Sequence, residues 1–266
     1  MVATELSVLL LTEDGAGHAH EVMEAIAKRM LLLVDATSRT HLISFVPRGK
    51  EAREVMSGNK WQGIETGDIG LRSRIVRFGR TIAAQLLERA PQGFVFFHFD
   101  GDHCWRDRHL AKEEKIAKLT NFLKSRVAPA VDHALREQCR AGRELDVEAC
   151  VKAALLRLRR LTPFHSIEAW LFQNTVEAER LCRSACGKHL DLIRGWATDR
   201  GALDELEGAE QPKNQLPCIA TRDHVALAKN GYPAAEVQTA GKSYAAAVDN
   251  LRRCRDLRDA LARTRA

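Results

Sequence analysis

Two aspartates flank a glycine in Phe99-Asp100-Gly101-Asp102-His103. Set two positions apart around a residue of wide backbone freedom, their carboxylates can turn into one pocket. Two such groups repel each other and raise one pKa unless a cation offsets the charge. All-oxygen donors suit a hard divalent ion, Mg²⁺ or Mn²⁺. Two further acids follow apolar stretches: Glu13 (with Asp14) after Ser7–Leu11, and Glu168 after Ser166. One glutamate with two aspartates makes an oxygen shell that leaves room for waters and a substrate phosphate. Glu168 completes that shell or holds a second ion, since two-metal sites place their ions about 3.5–4 Å apart. Plain alternatives stand beside each: a solvated Asp-Gly turn, a solvated Glu13–Asp14 turn, and a Glu168 that merely complements a helix dipole.

The elements that would carry these acids are readable. Gly93 opens an aromatic run, Phe94–Phe99, that reads as a buried strand of a parallel sheet, with the Asp-Gly-Asp turn at its carboxyl edge. Ligand sites of open α/β sheets collect at that edge. Ser7–Leu11 is a first strand. From His18 to Val34 the residues Val22, Met23, Ile26, Ala27 and Met30 recur at helical spacing. Thr40–Val46, stopped by Pro47, is a second strand. The segment Arg48–Gly70, with five glycines and scattered charge, reads as an exposed loop. Leu71–Ala90 returns to helical period before the Phe94–Phe99 strand.

Arg108–Gln138 is helical with a break expected at Pro129. Asp146 caps a helix over Val147–Leu156. Leu158–Phe172 reads as a short strand leading into a helix capped by Ser166, with Ile167, Trp170 and Leu171 facing the core. The rest is helices broken at Gly201, 208–217 and 231–233. The expected fold class is α/β: a mainly parallel sheet flanked by helices. Residues 1–173 form its core, with a helical segment over 106–157, and 174–266 form a helical C-terminal part packed on that core.

The chain has 266 residues, 45% hydrophobic and 29% charged, enough for a sizeable core and unlike a disordered chain. Lys plus Arg number 41 against 35 Asp plus Glu, a mild basic excess that permits a polyanionic partner. No apolar run reaches membrane-spanning length, and no secretory signal is visible at the N-terminus. Seven cysteines without a framework of spacings read as reduced thiols of a cytoplasmic protein. There is no phosphate loop of the Gly-rich Lys-Ser/Thr kind and no serine nucleophile elbow, which excludes ATP hydrolysis of the P-loop type and that class of esterase.

Glu13 after one apolar strand and Phe99-Asp100-Gly101-Asp102 after another resemble the TOPRIM fold of topoisomerases, primases and OLD-family nucleases. The stretch Leu161-Thr-Pro-Phe-His-Ser166-Ile-Glu168-Ala-Trp-Leu-Phe172 is similar to the strand and acidic helix start of OLD-like, stand-alone TOPRIM proteins, which often accompany ATPases in antiphage loci. The resemblance covers about residues 5–173, with a weaker echo near the C-terminus. It implies that Glu13 is a metal ligand or general acid/base, that Asp100 and Asp102 hold catalytic Mg²⁺ or Mn²⁺, and that Ser166 and Glu168 serve a second metal. It also implies a late lysine at the phosphate, Lys242 first and Lys229 second. One departure stands out: the family places glycine directly after the first glutamate and an acid about four residues on, where this chain has Asp14 and Gly17. Asp14 or Glu21 would have to compensate.

The expected activity is therefore a metal-dependent nucleic-acid phosphodiesterase, a DNA-binding hydrolase of antiviral defence. The alternative is a non-catalytic or partner-activated TOPRIM-like subunit that binds a larger ATPase. His18, His20, His98, His103 and His165 lie near the same strand ends, so a third reading is a histidine-assisted metallophosphatase. Of these, His98 shares a strand face with Asp100 and Asp102 and opposes Phe97 and Phe99. Cys182, Cys186 and His189 fall on one helix face without a fourth partner at zinc-site spacing, and read as helix packing. Arginines cluster at Arg72, Arg74, Arg77 and Arg80, at Arg157, Arg159 and Arg160, and at Arg252, Arg253, Arg255 and Arg258. They are solvated faces unless they flank the acids, where they would bind phosphates.

Overall fold

Six apolar or small residues, Leu6–Leu11, form the central strand β1, every one of them buried. The computed structural model describes residues 6–13, 17–46, 49–64, 66–101, 110–206, 210–240 and 242–264, without the side chains of 110–113. After β1 come α1 (Gly17–Val34), β2 (Ile43–Val46), α2 (Lys50–Met56), α3 (Ile69–Leu87) and β3 (Gln92–His98). Next are α4 (Leu110–Phe122), α5 (Ala128–Arg140), α6 (Val147–Leu155), β4 (Leu158–Leu161) and α7 (Glu168–Leu171). The helices α8 (Thr175–Ala185), α9 (Leu190–Thr198), α10 (Pro212–Gln215), α11 (His224–Lys229), α12 (Ala234–Ala240), α13 (Lys242–Arg252) and α14 (Arg255–Arg263) complete the described chain.

The four strands form one sheet in the order β2-β1-β3-β4, and all pairs are parallel. Six residues of β1 pair with β3, from Leu6 opposite Gln92 to Leu11 opposite Phe97. Alternation along the strands divides the core into two layers. Leu6, Val8, Leu10, Phe94 and Phe96 pack with α1 and with the C-terminal helices through Tyr244, Val248, Leu251 and Leu261. Leu9, Leu11, Val95, Phe97 and Phe99 pack on the other face with α2 to α6. The α/β architecture expected from the strand pattern therefore holds, and the helical C-terminal part forms one covering layer of the sheet. Among the described residues, no helix is long and apolar enough to cross a membrane.

Three local expectations need correction. The glycine-rich segment 48–70 is not an open loop: it holds α2 and a 3₁₀ turn, Ser57–Gln62. Its anchor is the fully buried Trp61, whose ring lies 5.3 Å from Phe97, 5.9 Å from Phe99 and 6.2 Å from Phe122. Each such aromatic pair adds about 0.5–1.5 kcal/mol beyond its area burial, which outweighs the flexibility of the glycines. Thr40–Leu42 is a 3₁₀ turn, so the second strand begins at Ile43. Pro129 does not break its helix where it stands. The irregularity falls one turn earlier, as a π-turn at Leu123–Val127, because proline has no N–H to offer the preceding turn. The Ser125 carbonyl accepts instead from Arg126 Nη1 at 3.0 Å.

The chain leaves β1 towards β2 on one side and re-enters at β3 on the other. The carboxyl ends of β1 and β3 thus flank the point where the strand order reverses, which is where open α/β sheets form a crevice.

Candidate active site at the carboxyl edge of the sheet

Glu13 and Asp100 stand two residues past the ends of β1 and β3. The Asp100 backbone N–H donates to Glu13 Oε2 at 2.7 Å. Glu13 Oε1 accepts from Asn59 Nδ2 at 2.5 Å. Asn59 can reach it because its backbone is left-handed, with φ of 57°, a region that asparagine tolerates better than most residues. The Asn59 amide oxygen in turn accepts from Trp61 Nε1 at 3.2 Å, so the buried tryptophan fixes the partner of Glu13.

Asp100 is a hub for three more contacts. Its Oδ1 accepts the Ile167 backbone N–H at 3.0 Å, at the entrance to α7. His98 Nε2 lies 3.3 Å from the same oxygen, off the line of a hydrogen bond but close enough to pair when the imidazole is protonated. The Asp100 carbonyl accepts from the buried ammonium of Lys115 on α4 at 2.5 Å, and that ammonium sits 5.9 Å from the centre of the Phe99 ring. Gly101 is required at the next position. A Cβ there would stand 1.7 Å from the Phe164 carbonyl oxygen, so only glycine lets the chain after β3 lie against the chain after β4.

These groups open on one cavity of about 260 Å³, walled by Thr12, Glu13, His18, His98, Asp100, Ile167, Glu168, Lys213, Thr221 and His224. Glu168 has no hydrogen-bond or ion-pair partner for its carboxylate among the described residues. The His18 Nε2 and both ring nitrogens of His98 are buried without hydrogen-bond partners among the described residues. Orphaned polar atoms in one pocket are costly unless a polar ligand or ion meets them. A larger cavity, about 550 Å³ between α3 and α5, lies under Val76, Ala83, Leu87 and Pro129 and contains none of the acids.

The expected site residues thus divide. Glu13, Asp100 and Glu168 meet at one cavity, and His98 shares it, as its strand face requires. Asp102, Asp14 and His103 lie outside the described residues. Ser166 neither walls this cavity nor caps the helix: its hydroxyl is fully buried with no partner among the described residues, and the Ile167 N–H at the entrance to α7 goes to Asp100. Lys242 is exposed and ion-paired with Glu205, a pairing that holds its pKa above the usual lysine value. Its neighbour Ser243 is the buried member of that turn, bonded to Asp204 and to Trp170 Nε1. Lys229 and Glu21 pair with each other and do not wall the cavity, so Glu21 does not compensate for the displaced acid. The cation at the cavity is Lys213, just inside α10, with no sequence motif to announce it.

Among the described residues no arginine walls the cavity. Instead Arg77 pairs with Glu51, Arg157 with Asp256, and Arg159 donates to the Asn250 carbonyl at 3.1 Å. Burial pushes the pKa values of Arg157, Arg159 and Arg160 below the usual arginine value.

Carboxylate oxygens and imidazole nitrogens are suitable donors for a divalent ion, and Mg²⁺ needs only one or two carboxylates beside its waters. Glu13, Asp100 and Glu168 fit that requirement as a group around one cavity. They are not a closed ligand set, however. Among the described residues the sole trio of histidine, cysteine or carboxylate side chains with ligand atoms all within 4.8 Å is Cys182, Cys186 and Cys218.

The fold and site define an α/β protein with an acid-and-histidine cavity at its topological switch point. Comparison with protein-family models, with curated proteins and with solved structures finds no match.

Proposed function

We propose that this chain is a divalent-metal-dependent phosphoester hydrolase acting on nucleic acid, organised like a TOPRIM domain. The observation that carries this reading is the joining of Glu13 and Asp100, 87 positions apart, at the switch point of the sheet, with the free carboxylate of Glu168 on the same cavity. Glu13, Asp100 and Glu168 would hold Mg²⁺ or Mn²⁺, which when bound would neutralise phosphate charge and lower the pKa of a water. Lys213 would bind a phosphate oxygen. His18, whose Nε2 is buried without a partner among the described residues, would hold or pass the proton. The mild basic excess, +6, favours a polyanion over a small neutral ester.

The test is cleavage of labelled DNA and RNA with Mg²⁺ or Mn²⁺ by the wild type and by Asp100→Asn. This substitution keeps an oxygen for the Ile167 N–H, so the fold should survive it. Activity should fall by about 10²-fold or more, the usual cost of losing a charged group at the reacting centre. Lys213→Ala should raise KM, while Lys242→Ala should leave the rate unchanged. Cleavage that persists in Asp100→Asn removes the assignment.

One observation favours a second reading, a partner-activated or non-catalytic subunit acting with a larger ATPase. Both oxygens of Glu13 are already engaged by Asn59 and by the Asp100 N–H, and the three acids do not close on one point. A Mn²⁺-induced rise in Tm that Asp100→Asn abolishes supports the enzyme, and no rise supports the subunit.

A further inference from the structure

Cys182, Cys186 and Cys218 are far from the strand ends in sequence and play no part in the proposed hydrolysis. Cys182 is buried on α8, and Cys186 is the residue that ends that helix. Gly187, with φ of 65°, turns the chain there, and its N–H returns to the Cys182 carbonyl at 2.8 Å. The turn holds the Cys186 sulfur 4.0 Å from that of Cys182. Cys218 comes from the segment after α10, and its sulfur lies 3.7 Å from that of Cys182. His189, grouped with the first two cysteines by spacing, precedes α9 and stays outside the trio.

We propose that the three cysteines bind a structural zinc ion, with the fourth position open to solvent beside the exposed Cys186. Zinc–sulfur bonds of about 2.3 Å in a tetrahedron put the sulfurs about 3.8 Å apart. The two measured separations, 4.0 and 3.7 Å, bracket that value, and all three sulfurs lie within 4.8 Å of one another. On binding, each thiol gives its proton to solvent and its sulfur lone pair to the ion, with no change of oxidation state.

The position of Cys218 gives the site a purpose. It lies between Lys213 and Thr221, which both wall the acid cavity, and its neighbours Leu216 and Ile219 are buried in the core. A metal clamp on Cys218 therefore ties the far wall of that cavity to the end of α8.

The test uses the full chain without an affinity tag, purified under reducing conditions without chelator. Plasma mass spectrometry should find about one zinc ion per chain in the wild type, in Cys150→Ser and in Asp100→Asn, and under about a tenth of that in Cys218→Ser and Cys186→Ser. Cobalt added to the metal-free protein should give a thiolate charge-transfer band that Cys218→Ser lacks. A reduced protein that takes up neither zinc nor cobalt overturns the proposal. So does a Cys182–Cys218 disulfide in peptide mapping together with no metal uptake after reduction. Zinc that is lost only in Asp100→Asn would place the ion at the acids and also overturn it.

Discussion

The Asp100 N–H bonds to Glu13 Oε2 at 2.7 Å, so the carboxylate after β1 satisfies the backbone just beyond β3. Because Glu13 also receives Asn59 Nδ2, it is a structural acceptor on two sides before any ligand arrives. Glu13→Gln should therefore cost stability by itself. One amide end would present N–H to a donor, and leaving a buried donor unpaired costs about 1–3 kcal/mol. The loss should appear as a lower Tm without added metal, together with faster hydrogen exchange at the Asp100 amide. Glu168→Gln, whose carboxylate bonds no described residue, should leave Tm unchanged. Equal Tm for Glu13→Gln and wild type would remove the structural role.

Gly101 offers a sharper packing test. The Phe164 carbonyl oxygen would lie 1.7 Å from an added Cβ, and a carbonyl on the main chain cannot swing away as a side-chain tip can. Gly101→Ala should destabilise by about 3 kcal/mol, the upper end for overpacking, and should pull the 163–167 segment away from Asp100. Gly195, in α9, has nothing within 4 Å of its would-be Cβ. Gly195→Ala should instead stabilise by about 0.4–1 kcal/mol, through a less flexible unfolded chain. Chemical denaturation of both variants measures the contrast. A Gly101→Ala as stable as wild type would contradict the close approach of the two strand ends.

Much of this arrangement is legible in the residues themselves. Leu6–Leu11 and Phe94–Phe99 read as strands because a parallel sheet covered on both faces needs unbroken apolar runs. The α1 helix is legible from its period, and Asp146 from its capping chemistry, realised as a bond to the Ala149 N–H at 3.0 Å. What escapes is whatever depends on a distant partner. Trp61 turns a glycine-rich stretch into packed structure only because Phe97 and Phe122 are there to receive it. The cap expected from Ser166 does not form, and the Ile167 N–H is instead taken by Asp100, 67 positions away, a partner that no local pattern announces. Asn59, Lys213 and Cys218 carry no local signal, since each acquires its place from the fold. The resemblance implies Lys242 at the phosphate, but in this chain its ammonium faces Glu205.

Acid should weaken the layer that backs the cavity, through Glu177. Its carboxylate, buried at the start of α8, accepts from Arg180 Nε at 2.8 Å and Nη2 at 2.7 Å, and from Asn230 Nδ2 at 2.8 Å. These bonds, Arg180 first, hold its pKa below the usual glutamate value. A lowered folded-state pKa means that the unfolded chain binds more protons, so stability rises with pH across that window. The contribution is complete above the ordinary carboxylate range and is lost as pH falls through the depressed value. Asn230 also links to Asn174, whose Nδ2 donates to the Asn230 and Leu227 carbonyls, so the loss would loosen α8 from α11. Glu177→Gln should lower stability at neutral pH by about 1.5–3 kcal/mol, the usual worth of hydrogen bonds to a charged group. The deficit should begin to shrink as pH falls below the ordinary glutamate value of about 4.3, where the unfolded chain takes up the proton, and should be gone once pH passes the depressed folded value. Thermal unfolding of both proteins between acid and neutral pH reads this directly. Parallel Tm curves across the whole range would show that Glu177 does not carry the acid sensitivity.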